Sequence, residues 1–231
     1  MKFNVLAWAA VCFYYRSAGD KRYRAMMSDQ DFLKRIRNVP SELSLKEFEE
    51  KVVLGLVNME HYDLLMHHRL AETILQKIID LVMEMPIITE TSLVTCDVNA
   101  PETAAVIERT FSILKVNGLW ITGISKIAHI LNDRLFPILS PDLVKHFNIT
   151  DNGASLRRWL CNVQEDIREA TTDFNACGFQ GSPGRFLSEK LGYTKEGYEK
   201  SLVKLADEYY WLRYGDCLPI PPIWAPAVIL H

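Results

Sequence analysis

Apolar residues recur along this chain with a period close to 3.6, broken mainly by isolated glycines and prolines. The run "MKFNVLAWAAVCFYY" opens it: one lysine, then an apolar stretch too short to span a bilayer and without a clean small-x-small cleavage site. It resembles a secretory leader in outline, but the pattern favours a buried first helix. "SLKE" at Ser44–Glu47 is a capping box, in which a serine caps a helix start and a glutamate three residues on reaches back. Leu45, Phe48, Val52, Val53 and Leu56 follow at helical spacing, and the pattern continues from Leu64 to Val82, giving one long helix or two joined near Asn58. Ile87–Thr95 is β-branched but lacks a nearby partner strand, so it reads as a loop or an isolated extended piece. Pro101 and Glu102 suit the first turn of a further helix that Gly118 stops.

After it comes "NGLWITGISKIAHILNDRLFPILSPDLVKHF", Asn117 to Phe147. The spacing predicts a tight turn at Gly123, a new helix starting near Ser125, and a short extended link bracketed by Pro137 and Pro141. Further helices are expected over Ala154–Asn175 and Glu196–Tyr214, with a loop around Gly178–Gly184 between them. The proline-rich end, residues 216–231, reads as an irregular tail. The expected architecture is an all-α helical bundle in a single domain of residues 1–231, with lobes at 1–100 and 101–215 as its natural subdivision.

Composition narrows the function. The 231 residues hold 48% hydrophobic and 24% charged positions, ordinary values for a globular domain. With 26 Lys+Arg against 29 Asp+Glu the net charge is -3, which argues against a generic polybasic nucleic-acid coat. A local basic run from Arg16 through Lys21, Arg22, Arg24, Lys34, Arg35 and Arg37 remains, and reads first as a solvated helix face. Five scattered cysteines, with no CxxC pair, fit neither a zinc knuckle nor an iron–sulfur cluster and suggest free thiols in a reducing, intracellular compartment. No cofactor and no membrane partner is called for.

The chemistry concentrates around Lys126. A lysine beside a glycine turn, heading an apolar helix, is expensive to bury unless paired or used. If the turn lies at Gly123, the backbone amides of Gly123, Ile124 and Ser125 would face outward and hold a phosphate. "GISKIAHILNDRLFPIL" resembles the core of the helix-hairpin-helix DNA glycosylase superfamily, a match over about 30 residues. That resemblance implies duplex DNA as partner and a DNA N-glycosylase/AP lyase activity, with Lys126 as the Schiff-base nucleophile at C1′ of a flipped-out nucleotide. Two positions depart from the family pattern: Ser125 stands for the second hairpin glycine, and Ser140 for the assisting aspartate. Asp142 either substitutes for that aspartate or caps the following helix. Trp120, Trp159 and Trp211 are candidates for a base pocket, and Arg185, at a helix start after "GFQGSPG", for a backbone contact.

Two other readings stay open. Lys126 snorkels or holds a phosphate in a non-catalytic module that binds nucleic acid or protein. Alternatively His61, His67 and His68, within "EHYDLLMHHRLAE", hold a metal in a helical bundle, although no second helix supplies a matching Glu-x-x-His. Adjacent carboxylates such as Asp207 and Glu208 should point to different helix faces.

Overall fold

The computed structural model describes residues 1–16, 18–54 and 68–220, apart from the side chains of residues 18–22, 54, 68 and 69. The architecture is all-α, with eleven α-helices and no strand among the described residues. The opening run forms α1 (Phe3–Arg16), which buries Phe3, Leu6, Trp8 and Phe13. No described helix is long and apolar enough to cross a membrane. Then follow α2 (Ala18–Met27), α3 (Gln30–Asn38) and the single turn α4 (Leu45–Phe48), which runs on as a wider turn over Glu49–Leu54. The long helix expected next is present as α5 (His68–Glu84), while Asn58 lies outside the described residues.

Ser44 caps α4 as the sequence indicates, its Oγ accepting the Glu47 N–H at 3.1 Å. Glu47 does not reach back. It takes a bidentate bond from Arg35, both contacts 2.7 Å, and another from Lys51, bonds that hold its carboxyl below the usual range. The charge-assisted fork outcompetes a neutral capping bond.

Ile87–Thr95 is a short 3-10 turn (Pro86–Thr89) followed by turns that bury Ile88 and Leu93. Beyond it lie α6 (Pro101–Leu114), α7 (Ile121–Leu131), α8 (Pro141–His146) and α9 (Gly153–Ala176). The region expected to be a loop through Gly184 contains the start of α10 (Pro183–Lys190), with Ser182 as cap and Pro183 in the first turn. Gly184 is needed there because a Cβ would stand 2.8 Å from the Lys200 carbonyl oxygen. The last helix, α11 (Leu202–Tyr210), begins later than expected. Gly192 and Gly197, both left-handed, bracket a separate turn over Tyr193–Glu196, and Ser201 then caps α11. A wider turn, Trp211–Gly215, ends the helical part.

α1 packs on α9, α10 and α11, and α6 packs on α5, α7 and α9. One buried core therefore runs from Phe3 to Leu212, and the first helix joins the second half of the chain. Gly153 serves this packing: a Cβ there would meet Glu108 Cα at 2.7 Å, so α9 can start close against α6. Every residue of α7 and of α11 is buried, which makes these two helices the centre of the fold.

Candidate functional site

The turn ahead of α7 lies at Val116–Trp120, not at Gly123. Gly118 adopts φ 88°, Leu119 N–H bonds to the Val116 carbonyl, and the first helical bond of α7 runs from Ile124 N–H to the Trp120 carbonyl at 2.9 Å. Gly123 sits within the first helical turn, where a Cβ would press on Leu119 Cδ1 at 2.5 Å. Packing of Leu119 accounts for this glycine. Gly123, Ile124 and Ser125 are all buried, so they do not form the exposed phosphate-gripping turn that the sequence suggested.

Ser125 has a different task. Its hydroxyl donates to the Thr122 carbonyl at 2.8 Å and accepts the Leu139 N–H at 2.9 Å, stapling the link 136–140 onto α7. A second glycine could not do this. Lys126, the next residue, is 4% exposed.

The same link leads into α8. Ser140 is its cap, accepting the Leu143 N–H at 3.3 Å, so Asp142 is not the capping residue. Asp142 is exposed in the first turn, and its carboxylate approaches Gly215: a Cβ on that glycine would lie 3.7 Å from Asp142 Oδ2 and 3.6 Å from Trp211 Nε1. Ser125 thus holds the link that leads into α8, and α8 packs against the Trp211–Gly215 turn. Beside them His146 stacks on Tyr214 with ring centres 4.1 Å apart.

The other candidates lie elsewhere. Trp120 caps α7 and is 71% exposed. Trp159 is a core residue against Phe147 and Tyr210, and Trp211 also packs edge-on against Phe13. The three tryptophans therefore do not share a pocket wall. Arg185 is exposed and paired with Glu189 in its own helix at 2.9 Å. The basic run is largely neutralised within the chain: Arg24 pairs with Glu196, Arg35 with Glu47 and Arg37 with Asp133. His61 and His67 lie outside the described residues, as does the side chain of His68. Among the described residues no cluster of His, Cys, Asp or Glu has the makings of a metal site. A groove of about 680 Å³ runs between α3, the end of α9 and the start of α10, lined in part by the Arg37–Asp133 pair. Arg37 of the basic run is in its wall, whereas Lys126, Asp142, Arg185 and the three tryptophans are not.

A second polar centre went unread. Lys200 Nζ lies 2.7 Å from Glu208 Oε1 with both side chains fully buried, and also donates to Tyr193 OH at 2.8 Å. Lys204 Nζ meets Asp207 Oδ1 at 2.7 Å and stands 3.6 Å from Glu208. Asp207 and Glu208 thus serve one cluster rather than separate faces. The other Asp207 oxygen accepts the Ile138 N–H at 3.0 Å, anchoring the link that leads to α8. Burial raises the Asp207 carboxyl to about 6, against the pull of Lys204. Nearby, His129 bonds through Nε2 to Tyr23 OH at 2.7 Å and through Nδ1 to the Phe136 carbonyl. Burial, reinforced by Lys204, lowers this histidine to about 3, so it is neutral. The spacing Lys200, Lys204, Asp207, Glu208 was the available clue: it places opposite charges within one or two helical turns. Compared with family models, curated proteins and solved structures, the chain matches none.

Proposed function

We propose that this chain is a DNA-binding protein of glycosylase type, in which Lys126 attacks C1′ of an extruded damaged nucleotide. What carries the reading is the burial of Lys126 within α7, ahead of the link that leads to Asp142. The link after α7 folds back onto Ser125, beside Lys126, and delivers Asp142 to the turn that holds Trp211. The reading takes the buried Lys126 amine as nucleophile and assigns the carboxylate of Asp142 and the ring of Trp211 to assist it. As the amine nitrogen bonds to C1′, the base leaves with the glycosidic electron pair and takes a proton. The nitrogen lone pair then forms the C=N bond as C1′–O4′ breaks, and O4′ takes that bond's electron pair and the remaining amine proton, leaving an imine. Lys126 is only 4% exposed, so base extrusion must be coupled to movement of whatever covers α7.

A second reading has its own observation. Ser140 stands where the glycosylase pattern places an aspartate, and it is occupied as a helix cap. In that reading the chain is a non-catalytic helical module that binds nucleic acid or protein, and Lys126 belongs to its architecture.

Borohydride trapping on duplexes carrying an abasic site or an oxidised base separates the two. Hydride reduces an imine to a stable amine, so a covalent adduct with the wild type that is absent in Lys126→Ala supports the nucleophile. Absence of any adduct from a protein that still retards the duplex favours the binding module. A protein that neither traps nor binds duplexes removes DNA from both readings.

A further inference from the structure

The groove of about 680 Å³ beside α3 also takes in the start of α11, and it has the size of a small-ligand cleft. Two helices therefore begin in its wall. Serines cap both, but each cap takes up a single amide: Ser182 Oγ accepts from Arg185 N–H, and Ser201 Oγ from Lys204 N–H. Pro183 has no N–H, and those of Gly184, Leu202 and Val203 find no acceptor among the described residues. The two starts touch, since a Cβ on Gly184 would stand 3.6 Å from the Leu202 nitrogen. Gly181, Gly184 and Gly197 have no side chains, so they line the groove with bare backbone.

The chain just after α7 forms the neighbouring wall. Ser201 Oγ donates to the Asp133 carbonyl at 2.6 Å, and the next carbonyl, that of Arg134, accepts the Leu93 N–H at 2.9 Å. Arg134 thus stands between the start of α11 and the segment that carries Ser92. Ser92 is 7% exposed. Its hydroxyl makes no hydrogen bond among the described residues yet is not enclosed, so it opens into the groove that Ser92 lines. The charges in the wall leave a positive remainder. Arg37 matches Asp133 at 3.0 Å, and Glu199 adds to the field that keeps Arg185 protonated. Arg134 is exposed, and its guanidinium makes no hydrogen bond or ion pair among the described residues.

Every group left over can donate a hydrogen bond, and amides at helix starts favour an oxyanion. Met27, Leu33 and Val94 line the same groove and give it an apolar side. We propose that the groove binds a small phosphate monoester. The phosphate takes the paired starts of α10 and α11 together with Arg134 and Ser92, and the carbon body lies against Met27, Leu33 and Val94. Three amides, a hydroxyl and a guanidinium suit three phosphate oxygens better than the two of a carboxylate. Lys126 does not line the groove, so the site stands if the Lys126 reading fails.

The test follows the backbone amide signals of Gly184, Leu202 and Val203 in the full-length, nitrogen-15-labelled protein. Phenyl phosphate is the probe, titrated at constant ionic strength. The expected result is a saturable shift of all three signals. Affinity should be about tenfold weaker in Arg134→Gln, which loses a charge-assisted bond, and about threefold weaker in Ser92→Ala. Inorganic phosphate should move the same signals with about tenfold lower affinity, since it lacks the carbon body. Signals that do not saturate, or an affinity unchanged in both variants, overturn the proposal. Inorganic phosphate that binds as tightly as phenyl phosphate overturns the ester. An undamaged DNA duplex that displaces phenyl phosphate overturns the small-molecule assignment.

Discussion

Helices α7 and α11 are closed off from solvent along their whole length, yet they solve burial in opposite ways. α7 is apolar with a few polar groups, most of them neutral: Ser125 staples the next link, and His129 is uncharged between Tyr23 and the Phe136 carbonyl. α11 brings charges inside and cancels them: its own Lys204, near the Tyr23 ring, and Lys200 just before its cap, near the Tyr193 ring, stand against Asp207 and Glu208. The two helices share Tyr23, which bonds to His129 and lies near Lys204, and the link after α7, whose Ile138 N–H Asp207 accepts. The link that shapes the candidate site is therefore held from both sides, by a hydroxyl of α7 and a carboxylate of α11. Ionic burial here positions a segment.

The largest effect should come from unbalancing α11. Lys200→Met leaves Glu208 without its 2.7 Å partner in a fully buried setting. Removing one member of such a pair costs about 3–5 kcal/mol, whereas replacing both with apolar residues of similar volume is often neutral. Urea unfolding should show that loss for Lys200→Met and recovery of most of it in Lys200→Met/Glu208→Leu. A single variant as stable as wild type would mean that the cluster contributes nothing to the fold.

Acid should expose the difference between the helices next. His129 falls from an ordinary 6.5 to about 3 in the folded protein, so the unfolded chain takes up the proton first. Its contribution is full above pH 6.5 and is lost as pH falls toward 3. Asp207 runs the other way: raised from 3.8 to about 6, it favours the folded state below pH 3.8, and that advantage fades as pH rises through 6. The two slopes nearly cancel between pH 6 and 4, so thermal midpoints should fall only slightly from pH 6.5 to 4. His129→Gln should flatten or reverse that slope, whatever its stability at pH 7. An unchanged slope would show that His129 titrates normally.

Two glycines sharpen the contrast between reasons for small residues. Gly153→Ala places a methyl 2.7 Å from the Glu108 backbone, which cannot yield, and should cost about 1–3 kcal/mol. Gly123→Ala meets only the side chain of Leu119, which can shift where backbone cannot, and a gain of up to about 1 kcal/mol in helix propensity offsets that contact. Near-wild-type stability of Gly123→Ala, read by the same urea titration, would confirm that no turn is needed there.

These glycines also mark what the sequence could and could not tell. α1, α6 and α9 were legible because their apolar period and their start and stop residues agree, Pro101 and Gly118 among them. Gly123 was misread because a glycine before a polar pair looks like a turn, while its cause is the side chain of Leu119, a contact that spacing alone does not reveal. The Lys200–Glu208 cluster was missed for a related reason. Adjacent carboxylates do leave a helix about 100° apart, but every face of α11 is buried and Lys204 lies within reach of both. In the candidate site the identities of Lys126, Asp142 and Trp211 were readable, but the contact between Asp142 and the Trp211–Gly215 turn was not. It depends on where α8 lands against the far end of the chain.

The smallest effect lies at Ser140, where both helices bear on function through the link they hold. Ser140→Ala removes the α8 cap and should cost about 1 kcal/mol. Ser140→Asp keeps the cap, since aspartate serves as well as serine at that position, though burial of its carboxylate takes back part of the benefit. The net change should stay within about 1 kcal/mol of wild type. The same variant places a carboxylate where the glycosylase pattern expects one. If Lys126 is a nucleophile, Ser140→Asp should increase the borohydride-trapped adduct while Ser140→Ala leaves it near the wild-type level. Equal trapping in all three would assign the assisting role to Asp142 or to none. Loss of trapping in Ser140→Ala alone would tie the chemistry to the position of α8, and so to the link that α7 and α11 hold between them.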